Sequence, residues 1–178
     1  GNSGDVYNII SDNDLQMNVL LWSPEGLAGS VFRSFIGSMA FMTNGGNSIV
    51  LDAGSHDMEA TVNINGESFA VSDFEVLDSV TFHIEHTSSH PKVPLVLGIG
   101  LNFDVTDSLV LRFDHYAFEV YFIRDEGKFG SLYFLDFTVS LLSTGHSPHG
   151  IVGRTLMLNG ERQVRDDDMG VQEDFLVA

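Results

Sequence analysis

The sequence contains no cysteine among its 178 residues. That absence removes disulfides, thiolate metal sites and cysteine nucleophiles together, and it leaves the redox compartment unmarked. Positive charge is scarce as well: eight Lys and Arg stand against 25 Asp and Glu, for a formal net charge of -17. Such a surface repels phosphate backbones and anionic membranes, so no nucleic-acid partner is expected. Two readings of the acidity stay open, solubility in a crowded or salty compartment and attraction of calcium or a cationic partner. No apolar run reaches the length of a membrane span. No Asn-x-Ser/Thr acceptor occurs, so glycosylation lends secretion no support. Neither a repeat of roughly 20 to 50 residues nor a linker divides the chain. It opens at Gly1 without a signal peptide, as expected of a soluble mature chain or a trimmed one.

What the sequence does have is apolar content, 43% hydrophobic and 11% aromatic, enough for one sizeable core in a single domain spanning 1–178. The apolar residues recur with period two, the spacing of strands with one face in a core. Tyr133, Leu135, Phe137, Val139 and Leu141 alternate with Phe134, Asp136, Thr138 and Ser140. The same beat runs through Leu97, Ile99, Leu101, Phe103 and Val105, and through Val80, Phe82, Ile84 and His86. Shorter strands are expected at 17–22, 35–42, 49–51, 109–113 and 118–123. Asn65-Gly66 and Asn159-Gly160 lie between alternating segments and predict two-residue hairpins, because these residues tolerate positive φ. "TNGGNS" at 43–48 and "DEGKFG" at 125–130 read as looser turns, and "HTSSHPKVP" at 86–94 as a long loop, since Pro91 and Pro94 cannot donate to a ladder. Helical spacing is scarce, with "HDMEA" at 56–60 the one candidate for a helical turn. The predicted fold class is all-β, an antiparallel sandwich or barrel-like stack of sheets made of many short strands.

"TGHSPHGIVGRT" at 144–155 poses three alternatives: nucleophile elbow, metal site or turn. An elbow needs G-x-S-x-G on a strained strand-to-helix turn, and here His149 stands where the second glycine belongs. Pro148 also lacks the N–H that the residue after the nucleophile gives to the oxyanion hole. The elbow therefore fails. His146 and His149 offer a metal pair, with His83, His86, His115 or a carboxylate as third ligand, set against histidines that donate to carbonyls around a turn. The acidic clusters "DVTDS" at 104–108 and "RDDDMG" at 165–170, the latter with Asp166, Asp167 and Asp168, lack the glycine-punctuated EF-hand pattern and are expected to be solvated turns. Trp22, Tyr7, Tyr116, Tyr121 and Tyr133 either fill the core or form a stacking platform for a sugar or other flat ligand. Trp22, Tyr116 and Tyr121 are the ligand candidates among them. Fourteen phenylalanines also suit an interior that holds a lipid or pigment. A glycosidase-type carboxylate pair leaves no local sequence mark, so none is nominated.

"HGIVGRT" at 149–155 resembles the His-Gly-x-x-Gly-Gln-Thr signature of plant root cap-type proteins, and a looser form of it in the C-terminal domain of inter-alpha-trypsin inhibitor heavy chains, relatives of von Willebrand factor type D domains. The matching positions are His149, Gly150, Gly153 and Thr155. "YNIISDNDLQMNVLL" at 7–21 and "ATVNINGE" at 60–67 are similar to two further segments of that group, in the same order. Arg154 departs from the usual Gln, Asn8 stands where the family commonly has a cysteine, and the opening Gly-Asp-Pro-x-Phe segment is missing. The resemblance implies a domain that lacks the family's first strand, through processing or because another copy supplies it, so a homo-oligomer by strand pairing is expected. It implies a secreted, extracellular β-rich module without catalytic residues, in which His149, Gly150, Gly153 and Thr155 form a structural turn.

The leading expectation is a non-enzymatic secreted interaction or structural protein whose partners are other extracellular proteins or itself. The alternative is a binding module for an apolar or carbohydrate ligand, in defence or pigment storage. A calcium- or zinc-dependent protein using Asp166, Asp167 and Asp168 or His146 and His149 comes third, and otherwise no cofactor is expected.

Overall fold

The computed structural model describes residues 4–22, 34–87, 104–125, 132–143, 148, 150 and 169–170. Its strands, in chain order, are β1 (Val6–Ser11), β2 (Leu15–Trp22), β3 (Phe35–Thr43), β4 (Ser48–Asp52), β5 (Thr61–Ile64), β6 (Glu67–Ala70), β7 (Val76–Asp78), β8 (Phe82–Thr87), β9 (Asp104–Phe113), β10 (Tyr116–Asp125), β11 (Leu132–Leu141) and β12 (Met169–Gly170). They form one antiparallel sheet in the order β12-β1-β2-β3-β11-β10-β9-β8-β7, with β4, β5 and β6 branching off β3. The sheet curls into a half-barrel. The fold is all-β, as its alternation predicts. A single 3-10 turn, Val71–Asp73, is the only helical element among the described residues, and none of them forms a helix long and apolar enough to cross a membrane.

The branch and the curl come from bulges. β3 pairs with β2 along one side, while its other side pairs with β4 through Ser38–Met42 and meets β11 at Ile36 and Leu135. Between those two partners the ladder skips Gly37: Leu20 faces Ser38 and Leu21 faces Ile36. An extra residue inverts the alternation, so Met39 and Phe41 enter the main core whereas Phe35 joins a cluster on the opposite face. Glycine is required there, because a Cβ on Gly37 would sit 2.8 Å from Trp22 Cδ1. Similar skips at Ile9 in β1 and Thr106 in β9 bend the sheet elsewhere.

The inner face carries the main core, including Met17, Phe41, Ile49, Leu51, Ile84, Leu109, Leu111 and Phe118. Phe41, Phe113 and Phe118 meet across the curl with centroids 5.0 to 5.9 Å apart. Each such ring contributes about 1.5–3 kcal/mol through burial alone. Strand β11 is apolar on both faces at 132–135: Tyr133 and Leu135 join the main core, while Leu132 and Phe134 join Phe35, Tyr121 and Ile123 outside it.

One end of the half-barrel is closed by turns that hydrogen-bond to each other. The Asn65-Gly66 hairpin has the positive φ values expected of it, 53° and 91°. Asn65 also donates from its side chain to Asn47 at 3.0 Å, and Asn47 donates to Thr81 at 3.0 Å. The Asn44 amide donates to the Asp14 carbonyl at 3.0 Å. Three expectations are corrected. Residues 56–60 form no helical turn: Gly54 at φ +75° and the bonds between Ser55 and Met58 fold them as an open loop. Val80 is no strand residue but fully exposed in the turn closed by Ser79 N–H to Phe82. "DVTDS" is not a solvated turn but the first half of β9, because β10 pairs with it and the Thr106 bulge absorbs the break in alternation. Of the 97–105 strand only 104 and 105 are described, and of the 86–94 loop only His86 and Thr87, which belong to β8. Asn159-Gly160 and residues 126–130 of the "DEGKFG" turn lie outside the described residues.

Candidate functional site

At the end opposite the interlocked turns the half-barrel holds a cavity of about 310 Å³. The register of β9, β10 and β11 builds its floor. Arg124 and Tyr133 face each other across β10 and β11, and Phe122 faces Asp107 across β10 and β9. These inward positions continue the core stripe past the point where aliphatic residues stop, so the core ends in polar side chains. The lip is the β4–β5 loop, Ala53 to Ala60. It is anchored by Asp52, which accepts from the Gly54 amide at 2.8 Å and from Ser38 Oγ at 2.7 Å. Gly54 makes the bend possible, since a Cβ there would collide with the Met58 carbonyl.

Three features set the chemistry of the cavity. Tyr133 lines it and is only 7% exposed, yet its buried hydroxyl has no hydrogen-bond partner among the described residues. An unmatched buried hydroxyl is costly, and native proteins keep few of them. The Arg124 guanidinium covers the Tyr133 ring, with Cζ 5.2 Å from the centroid. Finally, Asp107, Asp57 and Glu59 bring carboxylates to the wall, and Asp107 is held by His86 Nε2 at 3.1 Å. The site thus combines acceptors and a cation on a floor that is part apolar and part polar, while the Tyr133 hydroxyl lies buried out of a water molecule's reach.

Of the residues nominated from sequence, Trp22, Tyr116 and Tyr121 occupy separate places. Trp22 belongs to the outer cluster, and its indole N–H donates to the Tyr133 carbonyl at 3.0 Å, one residue's backbone away from the cavity. Tyr121 lies in that outer cluster as well, where burial raises its pKa. Tyr116 stands at the far end of β10, completely buried, and donates to Asp12; burial, followed by that bond and the charges of Asp12 and Asp14, pushes its pKa well above the usual phenol value. No face of Tyr116 is open to a ligand. Beside it, His115 Nδ1 meets Ser143 Oγ at 2.6 Å and His115 Nε2 meets Asp14 Oδ2 at 3.3 Å. This hydroxyl–imidazole–carboxylate line joins the same groups as a hydrolase triad. The line, together with the Leu142 amide that donates to the His115 carbonyl at 2.8 Å, ties three chain segments together.

Gly150 is described and has φ +90°, and a Cβ on it would lie 2.6 Å from the Ile9 carbonyl and 2.7 Å from Asn8 Oδ1. It is therefore a turn glycine pressed on the β1 bulge. His146, His149, Gly153, Thr155, Asp166, Asp167 and Asp168 lie outside the described residues. No group of three or more His, Asp or Glu placed to hold a metal occurs among the described residues. Sequence reasoning weighs Tyr133 with the other tyrosines, Asp107 within the acidic "DVTDS" cluster and 56–60 as a helical turn, but passes over Arg124, and alternation alone does not bring these residues together. No family model, curated protein or solved structure matches the chain.

Proposed function

We propose that this chain is a non-catalytic β-sheet binding module of the secreted type, and that its ligand occupies the cavity framed by Ala53–Ala60, Arg124 and Tyr133. The observation that carries the reading is a cavity of about 310 Å³ at the open end of the half-barrel, where the Ala53–Ala60 loop, Asp107 and Arg124 come together. Small-molecule sites are concave and combine apolar surface with placed polar groups, and here Met58, Val71 and Phe122 stand beside Asp107, Thr106 and Arg124. The extracellular assignment rests on the resemblance to root cap-type and inter-alpha-trypsin inhibitor proteins. In its support, Gly150 of one resembling segment packs on Asn8 and Ile9 of another.

Native mass spectrometry of protein purified from its own source tests the reading. The expected result is an adduct that leaves on denaturation, with no turnover of ester or glycoside substrates. Adduct-free protein that hydrolyses such substrates at an enzyme-like rate overturns it. A second reading, self-association by strand pairing, is favoured by the edge strand β7, where Val76 and Leu77 are both exposed. Sedimentation velocity checks it: a dimer that Leu77→Lys converts to monomer supports edge pairing, and a monomer at all concentrations removes it.

A further inference from the structure

We infer that the open edge of β7 takes up an extended, lysine- or arginine-bearing segment of another polypeptide as an added strand. The backbone comes first. β7 ends the sheet and pairs with β8 alone among the described residues. The Glu75 carbonyl accepts from the His86 amide at 2.8 Å and the Ser79 amide donates to Phe82 at 2.8 Å, so residues 75, 77 and 79 turn their main-chain groups toward β8. Val76 and Asp78 therefore point theirs away from the sheet, two donors and two acceptors spaced for another strand. Side chains come next. Every residue from Glu75 to Val80 is exposed, and Val76, Leu77 and Val80 are three of the six large apolar residues found exposed among the described ones. Leu77 is paired with the buried Ile84, so it lies on the core side of the sheet, where an added strand would cover it. Charge selects the partner. Between Arg33 and Lys92 the chain has four Asp and four Glu but no Lys or Arg. On the outer face, His83 meets Asp78 at 2.5 Å and Glu85 at 3.6 Å, and one imidazolium cannot balance two carboxylates whose side chains are 80% and 53% exposed. The first Lys or Arg along that row of paired residues is Arg112 of β9, opposite His83. A second copy would bring the same carboxylates and another formal net charge of -17, so the edge that the second reading above gives to self-pairing is better matched by a basic strand. The register asks for an apolar residue opposite Leu77 and a cation opposite Asp78.

Three capped peptides, titrated into the full chain labelled with nitrogen-15, test it. One alternates lysine and valine, the second alternates glutamate and valine, and the third is the lysine peptide with its lysine amides N-methylated, which removes the N–H groups that would face Val76 and Asp78. Amide hydrogen exchange is the readout, because strand addition protects Val76 and Asp78 while Leu77 already bonds to β8. The expected result is that the lysine peptide, at about ten times its Kd, slows exchange at Val76 and Asp78 about tenfold, and that the other two do not. Asp78→Lys should weaken binding about tenfold, as reversing one exposed charge implies. Val76→Pro, at an edge position whose N–H turns away from the sheet, should weaken it about three- to tenfold. Unchanged amide spectra outside residues 74–85 identify both variants as folded. Equal protection by the glutamate peptide means that the partner is not basic, and equal protection by the N-methylated peptide means that no strand is added; either overturns the inference. Protection of Val76 and Asp78 in concentrated protein without peptide makes the occupant a second copy and overturns it as well. If no peptide protects these two amides the inference falls, while the cavity reading, followed through amides 53–60, is untouched.

Discussion

Replacing Tyr133 by Phe should make the ligand-free protein more stable, an unusual sign for a core substitution. The change deletes one oxygen and leaves the ring in the main core, the Arg124 contact over its face, and the Trp22 hydrogen bond, which goes to the Tyr133 backbone carbonyl. The hydroxyl that is lost is buried and makes no bond among the described residues. Leaving a buried polar group unmatched costs about 1–3 kcal/mol, and the small void left by the oxygen returns part of that gain. The net expectation is about 1–2 kcal/mol of added stability. For a chain of this length, each kcal/mol moves the melting temperature by about 2–4 °C. Urea unfolding with an unchanged m-value and a higher midpoint is the direct assay. A variant that is less stable without ligand would refute the reasoning, since it would mean the hydroxyl is already satisfied, for example by a buried water.

Other outcomes follow from the same structure. Gly150→Ala should lose more than about 1 kcal/mol in urea unfolding, because positive φ and the close Ile9 carbonyl both oppose a Cβ. Gly54→Ala should cost a similar amount and broaden the amide signals of the 53–60 lip, since the Met58 carbonyl occupies the space a methyl needs. Asp136 has its pKa raised by burial, only partly offset by the Phe137 amide it accepts at 2.8 Å. A carboxyl raised in the folded state stabilises below its unfolded pKa and loses that contribution as pH climbs through its folded value. Asp136→Asn should thus match the wild type at about pH 3, below the ordinary carboxylate range, and melt higher than it near neutrality. If the protein carries no structural metal, EDTA and added calcium leave the melting temperature unchanged, whereas a shift with either would reinstate a calcium-dependent reading.

The alternation of Leu135, Phe137 and Val139 and the Asn65-Gly66 dipeptide made strands and a hairpin legible because both signals are local: side chains in a strand repeat every second residue, and a tight turn needs positive φ at fixed positions. The bulges at Ile9, Gly37 and Thr106 were not legible, since an extra residue looks like any other until its partner strand is known. "DVTDS" reads as a turn because aspartates favour turns, and the skip at Thr106 breaks the alternation of the strand it belongs to. His86 and Asp107 meet across 21 residues, and Arg124 reaches Tyr133 only through the β10–β11 register. A cavity wall built from register is invisible before the register is.

The two ends of the half-barrel invite a comparison of how their polar groups are matched. At the turn end, Tyr116 is as buried as any residue, and its hydroxyl is matched by Asp12 from the β1–β2 turn. Asp14, His115 and Ser143 continue the match onto three segments. At the cavity end Tyr133 occupies the equivalent inward stripe of the neighbouring strand, and no turn reaches over to it among the described residues. Both tyrosines cost desolvation; only one recovers it among the described residues. Selection for stability alone would place phenylalanine at 133, as it has at 118, 122 and 137. Retaining the hydroxyl there forgoes stability, so the sign of the Tyr133→Phe change separates a true deficit from a hydroxyl matched by a buried water.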